Sequence, residues 1–193
     1  MSIAEEKALL RKEMRAKSRA LPMEYRVKAD KAICRNICES AEYAAARTIF
    51  GYLGVGWEID TKPLLEQILR DGKRLCLPLC TGPHKMAVCV VKDLSELVPG
   101  AYGIPEPSKE SMAISPEEVD LTLVPCVAAD RLGRRLGQGG GYYDAFLKRY
   151  CGPAFLLCRE SALLPEVPVE NHDFRLPFLV TETKVFSFSS RQI

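Results

Sequence analysis

The chemistry in this sequence is concentrated in Gly137-Gln138-Gly139-Gly140-Gly141-Tyr142-Tyr143-Asp144. Four glycines in five positions stand directly ahead of an apolar helical pattern, Phe146, Leu147 and Tyr150, so a loop of bare backbone opens into a helix N-terminus. Glycine permits positive φ and close approach, successive N–H groups make a concave nest, and the free amides of a first helical turn favour an anion. A phosphate is the natural occupant. The bland alternative is a glycine-rich turn with no ligand, which a run of three glycines opposes because each costs backbone entropy. The loop fits neither familiar glycine motif. Read from Gly137, the dinucleotide fingerprint G-x-G-x-x-G needs glycine at Tyr142, and read from Gly139 it needs glycine at Asp144. The pattern G-x-x-x-x-G-K-[ST] needs a Gly-Lys-Ser/Thr tripeptide that follows none of Gly133, Gly137 or Gly139.

Two further groups of residues bear on a phosphate site. Lys7, Arg11 and Arg15 recur every four residues and therefore stack in one slowly drifting column on a helix. That column is either a solvated face or a cationic rib reaching over to a polyphosphate. Glu58, in Gly54-Val55-Gly56-Trp57-Glu58-Ile59-Asp60-Thr61, either accepts hydrogen bonds from a heterocycle or joins Asp60 and Thr61 in capping and neutralising the next helix.

Other chemistries have little support. The two histidines, His84 and His172, are far apart in sequence and read as loop residues, which leaves histidine-based nucleophilic or metal sites without material. Cys34/Cys38 and Cys76/Cys80 are two C-x-x-x-C pairs, and four thiolates would suit zinc. The first pair, however, lies one helical turn apart on an apolar face with Ile33 and Ile37, and the second flanks the strand-like Leu77-Pro78-Leu79. A net charge of +2 from 27 basic and 25 acidic residues gives no strong field, so nucleic acid is not an expected partner.

The elements that must position these groups follow from periodicity. Ser2 with Glu5 makes a capping box ahead of a helix over residues 3–20, with Ile3, Leu10 and Met14 as its apolar marks. Pro22 ends it, and a second helix runs to Ser40 with Ala29, Ile33, Ile37 and Ala41 as its inward stripe. Thr48–Leu53 reads as a buried strand, and residues 62–71 as a helix stopped by Gly72. A loop after the carboxyl end of a parallel strand is where open α/β sheets bind ligands, which places Glu58 well. Arg74–Leu79 and Met86–Val91 form a hairpin through Thr81-Gly82-Pro83. Residues 99–116 are a long, proline-punctuated loop able to cover a site, with Tyr102 placed to stack on a ligand ring. Leu121–Val124 is another buried strand, 127–136 an excursion around Asp130 and Gly133, and Ala154–Cys158, Leu179–Val180 and Val185–Phe188 complete the strands. The expected fold is a three-layer α/β/α sandwich with a mainly parallel sheet, in a single domain over residues 1–193 that buries about 70 % of its unfolded surface. No apolar signal segment or membrane-spanning stretch is present, and Glu5, Glu6 and Glu13 oppose an organelle presequence. A cytoplasmic protein with free thiols is therefore expected.

The stretch from Val124-Pro125 through Asp130-Arg131-Leu132-Gly133-Arg134-Arg135-Leu136 into the glycine loop and on to Asp144-Ala145-Phe146-Leu147 resembles the signature of the 5-formyltetrahydrofolate cyclo-ligase family. Further matches lie in the family's order: Lys7-x-x-x-Arg11, Glu58-x-Asp60-Thr61, Gly72-Lys73 with Leu77-Pro78, Gly103-Ile104-x-Glu106-Pro107 and Asn171-His172-Asp173. The resemblance implies ATP- and magnesium-dependent cyclisation of 5-formyltetrahydrofolate to 5,10-methenyltetrahydrofolate, with release of ADP and phosphate. The formyl oxygen attacks the γ-phosphoryl group, and N10 displaces the resulting imidate phosphate. By resemblance, ATP lies on Lys7, Ala8, Leu9, Leu10 and Arg11 and on Arg135, Leu136, Gly137, Gln138, Gly139, Gly140, Gly141, Tyr142 and Tyr143, with Lys7, Arg135 and Tyr143 catalytic. The folate meets Arg11, Leu53, Glu58, Tyr102 and Gln138 to Tyr142, while Asp144 and Asp173 ligate Mg2+. The implied partners are small-molecule substrates only, for a monomer with no membrane attachment. Gln138 stands where many relatives have arginine, which implies one fewer charge at the transferred phosphate, and Ala145 replaces an arginine found in many bacterial members. The competing readings are a nucleotide-binding oxidoreductase, opposed by the failed fingerprint, and a folate carrier without turnover.

Overall fold

Short, continuous runs of β-branched and aliphatic residues are too brief for helices and bury both faces when stacked side by side, which makes them the strands of a covered sheet. In the computed structural model, which describes residues 2–100, 103–170 and 173–188, these runs alternate with five helices. In chain order they are α1 (Ile3–Ala20), α2 (Met23–Cys38), α3 (Ala41–Ala45), β1 (Thr48–Phe50), α4 (Lys62–Arg70), β2 (Arg74–Gly82), β3 (Lys85–Val91), β4 (Val98–Pro99), β5 (Pro105–Glu106), β6 (Ala113–Ile114), β7 (Leu121–Val124), β8 (Ala128–Asp130), β9 (Arg135–Leu136), α5 (Tyr142–Leu147), β10 (Ala154–Leu157), β11 (Leu163–Leu164), β12 (Phe178–Val180) and β13 (Val185–Ser187). The main sheet has the order β13-β12-β10-β7-β1-β2-β3-β6. Its centre from β12 to β2 is parallel, while β13, β3 and β6 add antiparallel edges.

Side chains alternate across the sheet and divide the core into two layers. Phe50, Cys76, Val124, Leu156 and Leu179 face one way, joined by Met14 of α1 and Phe146 of α5. Ile49, Leu75, Leu121, Phe155 and Val180 face the other, joined by Ile33 and Ile37 of α2, Tyr43 of α3 and Leu64, Leu65 and Ile68 of α4. The molecule is thus the expected α/β/α sandwich. The chain leaves β1 for β2 on one side and β7 for β10 on the other, so the strand order reverses between β1 and β7, where such sheets open a crevice at their carboxyl ends.

Local chemistry moved several boundaries. The capping box of α1 is present, with both Ser2 and Glu5 bonded as expected. The second helix stops at Cys38, because the Ser40 hydroxyl accepts from Tyr43 N and starts α3; Ala41 is exposed rather than part of the α2 stripe. Strand β1 ends at Phe50, three residues short of the expected Leu53. Buried Thr61 takes over there, donating to the Tyr52 carbonyl at 2.5 Å and accepting from Gly54 N at 3.0 Å, so a side chain replaces the ladder. The hairpin turns at Pro83-His84, with Thr81 and Gly82 still in β2, and His84 adopts φ 56°. The 99–116 segment is no free flap: β5 pairs with β4, β6 extends the main sheet, and Cys80 N donates to Glu106 Oε2 at 3.3 Å. Tyr102 lies outside the described residues. The 127–136 excursion is a hairpin in a second, three-stranded sheet of order β11-β8-β9, which periodicity did not reveal because two of its strands have only two residues. Helix α5 ends at Leu147, where the ladder tightens as Arg149 N and Tyr150 N both donate to the Phe146 carbonyl, and the Tyr150 hydroxyl donates to the Pro153 carbonyl at 2.7 Å. The four paired cysteines do not converge: Cys34 and Cys38 pack with one core layer and Cys76 belongs to the other.

Phe50 is wholly buried and packs on both Phe146, at 4.9 Å between ring centroids, and Tyr143, at 6.3 Å. Phe50→Ala should cost about 3–5 kcal/mol of unfolding free energy in urea. A loss below about 1 kcal/mol would show that α5 does not depend on this contact.

Candidate functional site

The glycine loop leaves β9 and enters α5 through two positions that need positive φ, Gly139 at 98° and Gly141 at 67°. Its carbonyls are gripped from outside. Arg11 Nε donates to Gly137 O at 2.8 Å, Arg15 Nη2 donates to Gln138 O at 3.0 Å, and His84 Nδ1 lies 2.6 Å from Gly140 O. A side chain at Gly141 would strike the His84 ring, with its Cβ only 2.9 Å from Nδ1. Among the described residues, the N–H groups of Gln138, Gly139, Gly140 and Gly141 have no protein partner. The loop therefore has engaged acceptors and idle donors, which is the polarity an anion requires.

The cationic column of α1 faces this loop. Lys7 retains 5 % of its accessible surface and shares a buried stripe with Met14 and Ser18, which excludes a solvated face. Its ammonium donates to Glu170 Oε2 at 2.9 Å and to Asp173. Burial, and then the neighbouring charge of Arg15, pull the Arg11 guanidinium below its ordinary pKa, while Asp173 and Asp144 oppose that shift, so both carboxylates lie within reach of Arg11's field. Arg15 forks onto Gln138, reaching Oε1 from Nη2 at 2.7 Å as well as the backbone carbonyl. A guanidinium thus rests against the position where Gln138 itself brings no charge.

Arg135 of β9 is buried and ion-paired with Asp144, with its guanidinium about 6.0 Å from the centre of the Tyr143 ring. The Tyr143 hydroxyl is buried and has no hydrogen-bond partner among the described residues. Burial raises its pKa, so it remains a donor. An unmatched buried hydroxyl in a native fold calls for a ligand or water. Glu58 sits opposite, with Oε1 accepting from Gln138 Nε2 at 2.8 Å and Oε2 from Val55 N at 3.1 Å. The cap of the next helix comes from Asp60, whose Oδ1 accepts from Lys62 N at 3.1 Å, while the hydrogen bonds of Glu58 go to Gln138 and Val55. Leu53 and Tyr142 are half-buried beside these groups and Leu136 is buried beneath the loop, whereas Ala8 and Leu9 are exposed and Leu10 is half-buried.

The residues that position Glu58 escaped sequence reading. Arg159, two residues beyond the end of β10, forms a buried ion pair with Asp30 of α2 through Nε at 2.6 Å and Nη2 at 2.8 Å. It also donates to the carbonyls of Trp57 and Glu58, at 2.9 and 2.8 Å. Asp30 Oδ2 accepts from Asp60 N at 2.9 Å. The only sequence signal was a charge next to each of two apolar runs, 129 residues apart. As a magnesium site, Asp144 and Asp173 offer two hard carboxylates, and no group of three or more metal-binding side chains occurs among the described residues. That donor set fits a cation completed by phosphates and water rather than a protein cage. No helix among the described residues is long and apolar enough to cross a membrane.

Comparison with known proteins places this geometry in a family. Residues 3–182 match the model of the 5-formyltetrahydrofolate cyclo-ligase family. The chain is 32 % identical over 171 residues to the probable 5-formyltetrahydrofolate cyclo-ligase of Schizosaccharomyces pombe, covering 80 % of this chain and 84 % of that protein. It is 31 % identical over 181 residues to the Escherichia coli K12 5-formyltetrahydrofolate cyclo-ligase, covering 91 % of this chain and all of that one. The NMR structure of Aquifex aeolicus 5,10-methenyltetrahydrofolate synthetase superposes with a TM-score of 0.86 at 32 % identity, over 97 % of this chain and 95 % of that one. The Mycoplasma pneumoniae synthetase, at 19 % identity and a TM-score of 0.74, shares the fold over 91 % of this chain and 98 % of its own.

Removing one partner of the Arg159–Asp30 pair leaves a buried charge uncompensated. Asp30→Ala should lower the unfolding free energy by about 3–5 kcal/mol. A change within about 0.5 kcal/mol would mean that water already screens Arg159.

Proposed function

This chain belongs to the 5-formyltetrahydrofolate cyclo-ligase family, and from that premise we propose that it uses ATP and Mg2+ to close 5-formyltetrahydrofolate into 5,10-methenyltetrahydrofolate, releasing ADP and phosphate. The observation that carries the reading is the inward cationic column of Lys7, Arg11 and Arg15 against a glycine loop with idle N–H donors. A formamide oxygen is a poor leaving group, so the reaction first makes it part of a phosphate. The formyl oxygen bonds to the γ-phosphorus as the bond to ADP breaks. N10 then closes on the formyl carbon, phosphate departs with the former formyl oxygen, and the N10 proton is lost.

No protein nucleophile is needed, and the residues divide the remaining work. The loop amides and Arg135 receive the phosphates, Lys7 and Arg11 neutralise charge as it moves to the leaving ADP, and Glu58 and Leu53 face the pterin. The Tyr143 hydroxyl supplies a donor to the oxygen in transfer. Holding the formyl oxygen and γ-phosphorus in line can contribute about 7–11 kcal/mol. Without ligand, Lys7 is neutralised by Glu170 and Asp173, and Arg135 by Asp144. Asp144 and Asp173 would hold Mg2+, which supplies compensation of phosphate charge when bound. Carboxylates engaged by a cation in this way would release Lys7 and Arg135, now paired with them, to compensate phosphate oxygens. The site is prepared for the pair together.

The deciding experiment follows the methenyl chromophore with 5-formyltetrahydrofolate labelled with heavy oxygen in the formyl group. Turnover should require ATP and a divalent cation, and the label should emerge in phosphate. Undiminished product formation without nucleotide, or label absent from phosphate, would exclude the phosphorylated intermediate. Asp144→Asn should cut turnover by orders of magnitude and raise the Mg2+ needed for half-activity, because a neutral amide replaces a carboxylate ligand poorly. Normal turnover with unchanged Mg2+ dependence would return Asp144 to a partner of Arg135 alone.

A further inference from the structure

Resting on the assignment of Glu58 to the pterin, we infer that Arg15 is a positioning residue for folate, acting at a distance through Gln138. Three side chains from three separate parts of the chain form one directional line. Arg15 donates from Nη2 at 2.7 Å and from Nε at 3.1 Å to Gln138 Oε1. The Gln138 amide then donates to Glu58 Oε1 at 2.8 Å. The orientation of that amide is fixed by chemistry, since a guanidinium only donates and an ionised carboxylate only accepts. Gln138 must therefore present oxygen to Arg15 and nitrogen to Glu58.

The consequence lies in what remains free on Glu58. A carboxylate has about four lone-pair directions, two on each oxygen. Gln138 Nε2 takes one on Oε1 and Val55 N takes one on Oε2, leaving one on each oxygen among the described residues. That pair is the acceptor set that a planar ring with two adjacent N–H donors engages side by side, as in the 2-amino and N3–H edge of a reduced pterin. Arg159 fixes the backbone of Glu58 and Val55 N restrains one oxygen, but the rotation that aims both free lone pairs into the crevice is set by Gln138. Arg15 sets Gln138 in turn, because it also holds the residue's main-chain carbonyl at 3.0 Å. The line starts on α1, the helix that also carries Lys7 and Arg11, so the phosphate-facing helix and the pterin-facing carboxylate share one mechanical connection.

The test measures equilibrium binding of 5-formyltetrahydrofolate without nucleotide, and separately of a non-hydrolysable ATP analogue, to the native chain, Arg15→Ala, Gln138→Ala and the double variant. Each single variant should weaken folate binding roughly three- to tenfold, in keeping with loss of one oriented hydrogen bond. The double variant should be no weaker than the worse single one, because both break the same line. Arg15→Lys, which cannot fork onto both oxygens, should recover only part of the loss. Unchanged melting temperatures separate this from unfolding. If the native chain binds folate and Arg15→Ala binds it equally well, or if the two losses add, Arg15 is a surface contact and the inference fails while the assignment of Glu58 stands. If Glu58→Gln also leaves folate affinity untouched, the assignment of Glu58 itself fails.

Discussion

A guanidinium with 4 % of its surface exposed has to be matched almost completely, and Arg159 is. Two of its bonds go to Asp30 and two to the carbonyls of Trp57 and Glu58, while Asp30 accepts a third bond from Asp60 N. Such a pair contributes little net stability, since the desolvation of both ions offsets most of their attraction. Its value is geometric. Backbone atoms of three residues in one loop, Trp57, Glu58 and Asp60, are tied to Arg159 beyond β10 and to Asp30 of α2, and the loop after β1 has no helix or strand of its own to hold it. The position of Glu58 depends on that tie.

Charge at the site is balanced group by group, while the chain as a whole carries only +2. Lys7 is buried against Glu170 and Asp173, Arg135 against Asp144, and Arg11 and Arg15 against carbonyls. A pocket of unmatched cations would be costly to fold. A pocket of matched ones folds readily but would bind an anion only by exchange, and under the proposed reaction a metal ion accompanying the phosphates would suit it, by occupying carboxylates that otherwise compete for the same cations. Among the described residues, the unmatched Tyr143 hydroxyl and the idle loop amides are groups whose bonds a ligand would add outright.

What was legible in the sequence was local. The capping box of α1 lies within four residues, the strands are contiguous apolar runs, and the glycine loop announces its polarity by composition. Periodicity found the column of Lys7, Arg11 and Arg15 but not its direction. The helix buries Lys7 with Met14 and Ser18, and a lysine on that stripe is placed inward only by acidic partners more than 160 residues away. The same limit hid Asp30 and Arg159, whose pairing depends on α2 crossing the end of β10. It also hid the three-stranded sheet, where two-residue strands leave no pattern to detect. The early end of β1 was missed because Thr61 intercepts the backbone of Tyr52 and Gly54, a competition between side chain and ladder that composition does not encode.

The glycine loop shows how long-range contacts repair a local weakness. Glycines supply the positive φ at Gly139 and Gly141, but they also leave the unfolded chain with the most freedom to lose, so the loop would not hold a defined shape alone. Its order is imposed from outside: Arg11 and Arg15 of α1 and His84 of the β2–β3 turn each engage one of its carbonyls. Carbonyls held outward in this way leave the N–H groups with no partner among the described residues, so the contacts that rigidify the loop also give it the donor polarity that an anion would need. Helix α1 is for this reason part of the site and not merely a cover over one core layer. The cations that would neutralise a phosphate also shape the loop that would receive it, which explains how a chain without a recognised phosphate-loop motif can still present a rigid anion cradle.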